Sequence, residues 1–199
     1  MNSIFTDNPD YNPATNTYDI RTSVYPSTLL SNFAPNAFVF DGVACASLEG
    51  FLQSLKVQDC NRQQEICALV GGRAMRAGRR YDWKSEQILY WRAKPYSRLS
   101  PDYQQLLRAA FRACYEQNPD YRAALATTVG MKLDHSIGKN DSTQTVLTVA
   151  EFTGILTQLR DRGWSDNPGY ISCRNLRVSR SLSAGRILVR RGNRLSSRM

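Results

Sequence analysis

Residues 47–56 read Ser-Leu-Glu-Gly-Phe-Leu-Gln-Ser-Leu-Lys and carry the most informative pattern of the chain. Glu49, Gln53 and Lys56 stand at i, i+4 and i+7, positions that share one face of a helix. An apolar set with the same spacing would anchor that helix to a core, and it consists of Leu48, Phe51, Leu52 and Leu55. With Ser47 as N-cap, the pattern predicts a helix over residues 47–58.

A carboxylate, an amide and an amine on one helix face are the groups needed to break a sugar bond. The carboxylate can transfer protons, the amide can orient hydroxyl groups, and a desolvated amine can attack an electrophilic carbon. The alternative is a solvent-exposed face carrying a Glu-Gln-Lys ladder, which is the commoner interpretation of this spacing taken alone.

The charge of the chain is concentrated at its C-terminal end. Residues 1–163 carry 18 Lys and Arg against 16 Asp and Glu, whereas residues 164–199 carry eight Arg and one Asp. We therefore expect an extended strip over residues 1–19, a main domain over residues 20–163 and a basic, Arg/Ser-rich extension over residues 164–199. The extension could contact nucleic-acid phosphates, or it could be a disordered or partner-docking segment.

Several classes of protein and site are excluded by composition. Five scattered cysteines without a CxxC pair, together with one histidine, argue against a zinc site. The sequence also lacks a glycine-rich nucleotide motif and a carboxylate cluster, so we expect no metal and no bound cofactor. A polar N-terminus and the lack of a long apolar run argue against a signal peptide or a membrane span, and reduced thiols favour a cytoplasmic protein.

The remaining pattern predicts an α+β domain that is predominantly helical, with a small β element near the N-terminus. A tight hairpin is expected over residues 38–45, because Asp41-Gly42 favours a type I′ turn between apolar, β-prone flanks. Further elements, in chain order, are expected to be a helix over about 62–77 weakened at Gly71-Gly72, a partly irregular segment over 81–99, a helix over 101–117, a helix over 119–127, a polar loop over 128–147 and a helix opened by the capping box of Thr148 and Glu151.

Several short segments, taken in order, resemble the NADAR (YbiA-like) N-glycosidase family. They are Leu30-Ser31-Asn32-Phe33, the Asp41-Gly42 hairpin, Ser47-x-Glu49-x-x-x-Gln53-x-x-Lys56, Ala77-Gly78-Arg79 with Trp83, Glu116-Gln117-Asn118-Pro119 with Leu125-Ala126-Thr127, and a last segment from Glu151 to Arg160. No single piece is specific, but the combination is, and it covers about residues 29–162.

The chain departs from the family pattern at two points. Gly50 stands where the family usually has His directly after the signature Glu, and residues 135–141 stand where it often has an Asp-x-x-Trp-Gly element. These differences indicate a divergent branch, in which the substrate carries over less securely than the chemistry.

The resemblance implies hydrolysis of an N-glycosidic bond. Its substrate would be ADP-ribose attached to a guanine base of nucleic acid, or alternatively a ribosylamino intermediate of the riboflavin pathway. Glu49 would handle protons, Lys56 would capture the anomeric carbon as a ring-opened Schiff base, and Gln53 would bond ribose hydroxyls or the Lys56 amine. The alternative for Lys56 is a surface lysine. A third reading of the whole protein is a catalytically inactive module that binds ADP-ribose or nucleic acid.

The same resemblance suggests residues that would bind substrate. Ser31, Asn32 and Phe33 would line the mouth of the site, unless the loop only bonds its own backbone. Arg79 would bind a diphosphate, unless it is one solvated charge in an arginine cluster. Trp83 would stack on a base, although a tryptophan of the core is the commoner case.

Two residues of the polar loop complete the set. Asp141 is the candidate for a second catalytic carboxylate, standing in for the Asp of the family's missing element. His135, the single histidine, is expected to contribute hydrogen bonds near the substrate rather than catalysis. The sequence leaves the oligomeric state open.

Overall fold

The computed structural model describes residue 5 and residues 7–162, so the predicted basic extension over residues 164–199 lies outside the described residues. This part of the chain contains seven helices and seven short strands. In chain order they are β1 Tyr11–Asn12, β2 Thr17–Asp19, α1 Ser27–Leu30, β3 Phe38–Phe40, β4 Val43–Cys45, α2 Leu48–Ser54, α3 Cys60–Cys67, α4 Gly71–Gly78, β5 Ile88–Trp91, β6 Lys94–Ser97, α5 Pro101–Gln117, α6 Pro119–Ala126, β7 Lys132–Asp134 and α7 Val149–Arg162. The predicted α+β class is confirmed.

Helix α2 lies at the centre of the core. Its four predicted anchors are at most 2% exposed, and they are Leu48, Phe51, Leu52 and Leu55. Burying side chains of this size stabilises the fold by roughly 1.5–3 kcal/mol each. The Ser47 hydroxyl accepts a 2.9 Å hydrogen bond from the Gly50 amide, as the N-cap prediction required. Helices α3, α4 and α5 pack around α2 and hold it in place.

Helix α2 ends at Ser54, earlier than the predicted end at residue 58. The reason is tertiary, because the Leu55 carbonyl accepts a 2.7 Å bond from the Tyr90 amide of β5 instead of continuing the helix. The buried amide of Gln63 strengthens this junction, since its Nε2 donates to the carbonyls of both Val57 and Tyr90 at 2.7 Å.

The single helix predicted over residues 62–77 is wrong: the chain forms α3 and α4, separated by an extended residue at Val70. The carbonyls at the break are bonded to the segment that precedes α2. The Cys67 carbonyl accepts from the Ala46 amide at 2.8 Å, and the Leu69 carbonyl accepts from the Ser47 hydroxyl at 3.0 Å. These long-range bonds replace the next helical turn.

The strands form three small sheets in the described part of the chain. The predicted β3–β4 hairpin is confirmed, with φ of +51° at Asp41 and +80° at Gly42 as a type I′ turn requires. The segment 81–99, predicted as partly irregular, contains the β5–β6 hairpin, which was not predicted. Its turn uses Arg92 and Ala93, both with positive φ, and therefore shows no glycine or asparagine signal in the sequence.

The third sheet joins the two ends of the domain. Strand β2 pairs with β1 on one side and lies parallel to β7 on the other, with Tyr18 opposite Leu133. The segment predicted as an extended strip therefore contributes two strands, and the segment predicted as a polar loop contributes one. The β2–β7 pairing spans more than a hundred residues and leaves no local signal, which explains why β7 was missed.

A buried ion pair fixes helix α7. Glu151 closes the predicted capping box, because its carboxylate accepts from the Thr148 amide at 2.7 Å. The same carboxylate accepts two bonds from the fully buried guanidinium of Arg98, at 2.9 and 2.7 Å. Burial raises the pKa of Glu151, but the bonds from Arg98, Thr148 and Gln104 outweigh it and leave that pKa below its ordinary value.

Candidate active site

The three polar residues of α2 form one hydrogen-bonded chain. Gln53 Nε2 donates to Glu49 Oε1 at 2.9 Å, and Lys56 Nζ donates to Gln53 Oε1 at 2.6 Å. Only one orientation of the amide satisfies both neighbours, since a carboxylate accepts and an ammonium donates. Glu49 and Gln53 are each only 7% exposed, while Lys56 is half-buried. These three side chains therefore do not form the solvent-exposed ladder that the spacing alone would favour.

Helix α4 presses the Gln53 amide into this position. A Cβ atom on Gly78 would lie 2.1 Å from Gln53 Oε1 and 2.8 Å from its Cβ, so only glycine leaves room for the side chain. The contact explains the role of Ala77-Gly78-Arg79, which the sequence resemblance singled out without a physical reason.

Burial shifts the two outer members of this hydrogen-bonded chain, Glu49 and Lys56, toward their neutral forms. It raises the pKa of Glu49 above its ordinary value, against the opposing effects of the Gln53 bond and the Lys56 charge. It lowers the pKa of Lys56 to about 8, against the charge of Glu49 and together with the charges of Lys84 and Arg79. A protonated acid and a neutral amine are the forms that proton donation and nucleophilic attack need.

The departure at Gly50 has a packing cause. A Cβ at this position would lie 2.7 Å from the Leu69 carbonyl oxygen and 2.8 Å from that of Cys67. Both atoms belong to the backbone at the break between α3 and α4, which cannot move aside cheaply. Gly50 of α2 therefore packs directly against the backbone between α3 and α4, which leaves no room for a histidine side chain.

The loop of Ser31, Asn32 and Phe33 meets α2 beside Glu49. The Asn32 carbonyl accepts a 2.8 Å bond from the Glu49 amide, which ties the loop to the helix. The Asn32 Oδ1 atom is buried and has no hydrogen-bond partner within the described residues. Ser31 Oγ accepts from the Phe33 amide at 3.2 Å, the local turn that the alternative reading expected, and Phe33 is 43% exposed.

Arg79 and Lys84 are exposed cations on the edge of this site, since both act electrostatically on Lys56. Lys84 also acts on Asp141, and its ammonium donates to Gln144 Oε1 at 3.0 Å. Asp141 itself is exposed and accepts bonds from the Thr143 amide and hydroxyl, which lower its pKa. Its role as a second carboxylate stays a prediction.

Two of the predicted substrate-binding residues have other contacts. Trp83 is 5% exposed and belongs to the hydrophobic core, the alternative that the sequence left open. His135 bonds the Ile20 carbonyl through Nδ1, and its ring lies 5.1 Å from the ring of Phe152. Within residues 5 and 7–162, moreover, no three His, Cys, Asp or Glu side chains are grouped so that they could hold a metal ion.

Lys84 was absent from the set of residues predicted from the sequence. Nothing in its local pattern distinguishes it, because its proximity to Lys56 arises from the packing of separate segments. Its proximity is reflected in the pKa of Lys56, which the positive charge of Lys84 helps to lower.

Comparison with known proteins places the chain in a family. The family model described as bacteriophage protein GP30.3 matches residues 24–161. The chain belongs to the bacteriophage GP30.3 family. It is also 41% identical over 146 residues to an uncharacterized 17.1 kDa protein from the Gp30–rIII intergenic region of Enterobacteria phage T4, covering 72% of this chain and 96% of that protein.

A solved structure shows the same fold. The NMR structure of the Escherichia coli protein YbiA matches with a TM-score of 0.54 at 18% identity, covering 84% of this chain and 96% of YbiA. The resemblance read from the sequence is thereby confirmed: the GP30.3 chain is a divergent, NADAR-like protein with a YbiA-like fold.

In the part of the chain that the structure describes, no helix is both long and apolar enough to cross a membrane.

Proposed function

We propose that this GP30.3-family protein is an N-glycosidase that hydrolyses the bond between ADP-ribose and a nucleic-acid base, with guanine as the base. The observation that carries the proposal is the buried Glu49–Gln53–Lys56 chain, in which both end groups are shifted toward neutral forms. A half-buried amine linked through one amide to a buried acid favours Schiff-base chemistry at an anomeric carbon.

The reaction starts at the sugar. Protonated Glu49 gives its proton to the ribose ring oxygen as the ring opens, and the electrons of the base nitrogen stabilise the anomeric carbon. The neutral amine of Lys56 adds to that carbon. The base then leaves with its nitrogen protonated by the proton released from the amine, and a Schiff base joins Lys56 to the opened ribose. Water hydrolyses this protonated Schiff base to the open-chain aldehyde and the Lys56 ammonium, which returns a proton to Glu49 and so restores the neutral amine; the released ADP-ribose closes its ring.

Other side chains fit the binding of such a substrate. The buried Asn32 Oδ1 is an acceptor that a ribose hydroxyl would satisfy, because a buried acceptor without a partner is costly. The planar guanidinium of Arg79 is suited to a diphosphate, and its charge already reaches Lys56. Gln53, bonded to both reacting side chains, would hold them at one sugar carbon.

The test is turnover of DNA carrying ADP-ribosylated guanine, with release of ADP-ribose measured by mass spectrometry. Glu49→Gln and Lys56→Ala should each reduce release at least a hundredfold, whereas the exposed-residue controls Glu86→Gln and Lys132→Ala should retain it. Borohydride added during turnover should leave a mass adduct on Lys56. Normal turnover by both site variants would refute the assignment, and turnover without an adduct would favour direct attack by water.

The choice of substrate is tested in the same assay. A free ribosylamino pyrimidine offers the same carbon–nitrogen bond without a nucleic acid, and faster turnover of this molecule would identify the small-metabolite alternative. Tight binding of ADP-ribose in calorimetry without any turnover would instead favour a binding module. The departure from the family pattern at Gly50 does not by itself favour a binding module, because the packing of Gly50 against the end of α3 is a structural reason that is independent of catalysis.

A further inference from the structure

The positive charge of the described domain is gathered on and just after helix α4. Residues 71–84 carry five Lys and Arg against one Asp, whereas the rest of residues 1–163 carries thirteen Lys and Arg against fifteen Asp and Glu. A short segment with a net charge of +4 thus stands out from a body whose net charge is −2. Such segregation marks a surface for a polyanion rather than a general adjustment of solubility.

Four arginines make up this surface, which we call the α4 patch: Arg73, Arg76, Arg79 and Arg80. All four are exposed. Among the described residues, none of their guanidinium groups donates a hydrogen bond or forms an ion pair, although those of arginines elsewhere, such as Arg62 and Arg98, do both. Arg73 and Arg76 stand at i and i+3 and therefore share one face of α4, while Arg79 and Arg80 follow directly after the helix ends at Gly78.

An exposed aromatic ring lies at the first turn of the same helix. The Phe33 Cδ2 atom is 3.3 Å from the place that a Cβ on Gly71 would occupy, so the ring rests on the start of α4. An Arg76 guanidinium nitrogen lies equally close to the corresponding place on Gly72. The ring and the guanidinium therefore stand at adjacent positions. The loop that carries Phe33 is in turn bonded to Glu49 through Asn32.

We propose that the α4 patch and Phe33 bind a single-stranded nucleic acid, with the arginines on its phosphates and the Phe33 ring stacked on an unpaired base. A cationic groove interleaved with aromatic rings is how proteins hold single strands without reading their sequence. Through Asn32 and Arg79 the surface adjoins the Glu49–Lys56 site. The inference deepens the proposed function, because it assigns that site a polymeric substrate presented as a single strand.

The extent of the patch favours a strand over a small molecule. A diphosphate has two phosphoryl groups on one bridging oxygen, and Arg79 alone is placed to bind it. Arg76 and Arg73 lie three and six residues before Arg79, about 4.5 and 9 Å away at 1.5 Å per residue, and Arg80 follows Arg79 directly. They match successive phosphates of a chain.

The experiment measures binding of the full-length protein to a fluorescein-labelled, unmodified oligothymidylate of 15 nucleotides, followed by anisotropy between about 50 and 200 mM salt. A triple variant of the patch should bind at least tenfold more weakly; it combines Arg73→Gln, Arg76→Gln and Arg80→Gln. It should also flatten the plot of log affinity against log salt by about 2, because each lost phosphate contact contributes about 0.7 for single strands. Phe33→Ala should weaken binding several-fold without changing that slope.

The control removes three exposed cations from other elements, as Lys94→Gln/Arg108→Gln/Lys132→Gln, and should bind within twofold of the unaltered protein. Equal losses in both triple variants would show an effect of net charge alone and overturn the proposal. So would equal affinity for polyglutamate or for duplex DNA, or a patch variant that binds as well as the unaltered protein. Because the oligonucleotide carries no ADP-ribose, failure of the glycosidase proposal would leave this result unchanged.

Discussion

Gly78 and Gln53 are in direct contact, with the backbone of α4 occupying the space next to the amide at the centre of the site. A Cβ added to Gly78 would fall 2.1 Å from Gln53 Oε1, the atom that accepts the bond from Lys56. Two elements that are separate in sequence thus fix one hydrogen-bonded chain: α2 carries its three members, and α4 limits the conformations of the middle one.

Gly78→Ala is expected to disable the site more than it disturbs the fold. The new methyl group displaces the Gln53 amide, which breaks the link between Glu49 and Lys56, and overpacking of this kind costs about 1–3 kcal/mol. We expect ADP-ribose release to fall at least tenfold, with a cooperative urea transition retained at a lower midpoint.

Gly154→Ala is the matched control, since it makes the same change inside helix α7, where nothing lies within 4 Å of the new atom. It should stabilise the protein by roughly 0.5–1 kcal/mol and leave turnover unchanged. If the Gly78 variant kept full activity, the Gln53 bridge would not be required for catalysis.

The pKa of Lys56 predicts how the reactivity of its amine depends on pH. The amine is neutral above a pKa of about 8, so the rate at which Lys56 reacts with an amine-directed reagent should rise with pH through that value. Lys84 lowers the pKa of Lys56, so Lys84→Gln should move the rising limb to higher pH. Lys132→Gln serves as control. A rising limb that stays in place in the Lys84 variant would mean that another group is responsible for it.

The site could be read from the sequence because its three members lie on one short helix. Glu49, Gln53 and Lys56 follow helical spacing, and the apolar stripe beside them shows which side of the helix faces the core. Burial could not be read in the same way, since it depends on α4 and on the loop of Asn32, both distant in sequence. Spacing alone even favoured the wrong, solvent-exposed interpretation.

The errors in the fold have a common physical origin. The break between α3 and α4 arises from bonds between Cys67 and Ala46, and the end of α2 arises from a bond between Leu55 and Tyr90. The β5–β6 turn uses Arg92 and Ala93 where a local rule expects glycine or asparagine. In each case tertiary hydrogen bonds or packing overrode local preference. The Asp41-Gly42 hairpin and the Thr148 capping box, which are governed by local chemistry, were predicted correctly.

Gly50→His would restore the residue that the NADAR resemblance expects and is predicted to damage this protein. Its side chain would be forced onto the carbonyl oxygens of Leu69 and Cys67, at a cost of at least about 2 kcal/mol. The midpoint of urea unfolding should drop accordingly. Gly50→Ala should also destabilise, in contrast to Gly154→Ala. A Gly50→Ala variant more stable than the unaltered protein would contradict the packing explanation of this departure.

The buried pair of Arg98 and Glu151 is predicted to be essential to the folded state. Glu151→Gln keeps the size of the side chain but leaves the Arg98 guanidinium, which is fully buried, without a counter-charge. Removing one partner of a buried pair costs about 3–5 kcal/mol. The exposed pair of Arg62 and Glu65 offers a matched control, because Glu65→Gln should cost at most about 1 kcal/mol.

The pKa of Glu151 also predicts how stability depends on pH. Since this pKa lies below its ordinary value, the contribution of Glu151 to the free energy of unfolding is complete above the ordinary value and is lost as pH falls through the lowered one. The stability difference between the unaltered protein and Glu151→Gln, measured by urea unfolding at several pH values, should therefore shrink toward low pH. A difference that is independent of pH would show that the carboxylate stabilises the domain by packing rather than by its charge.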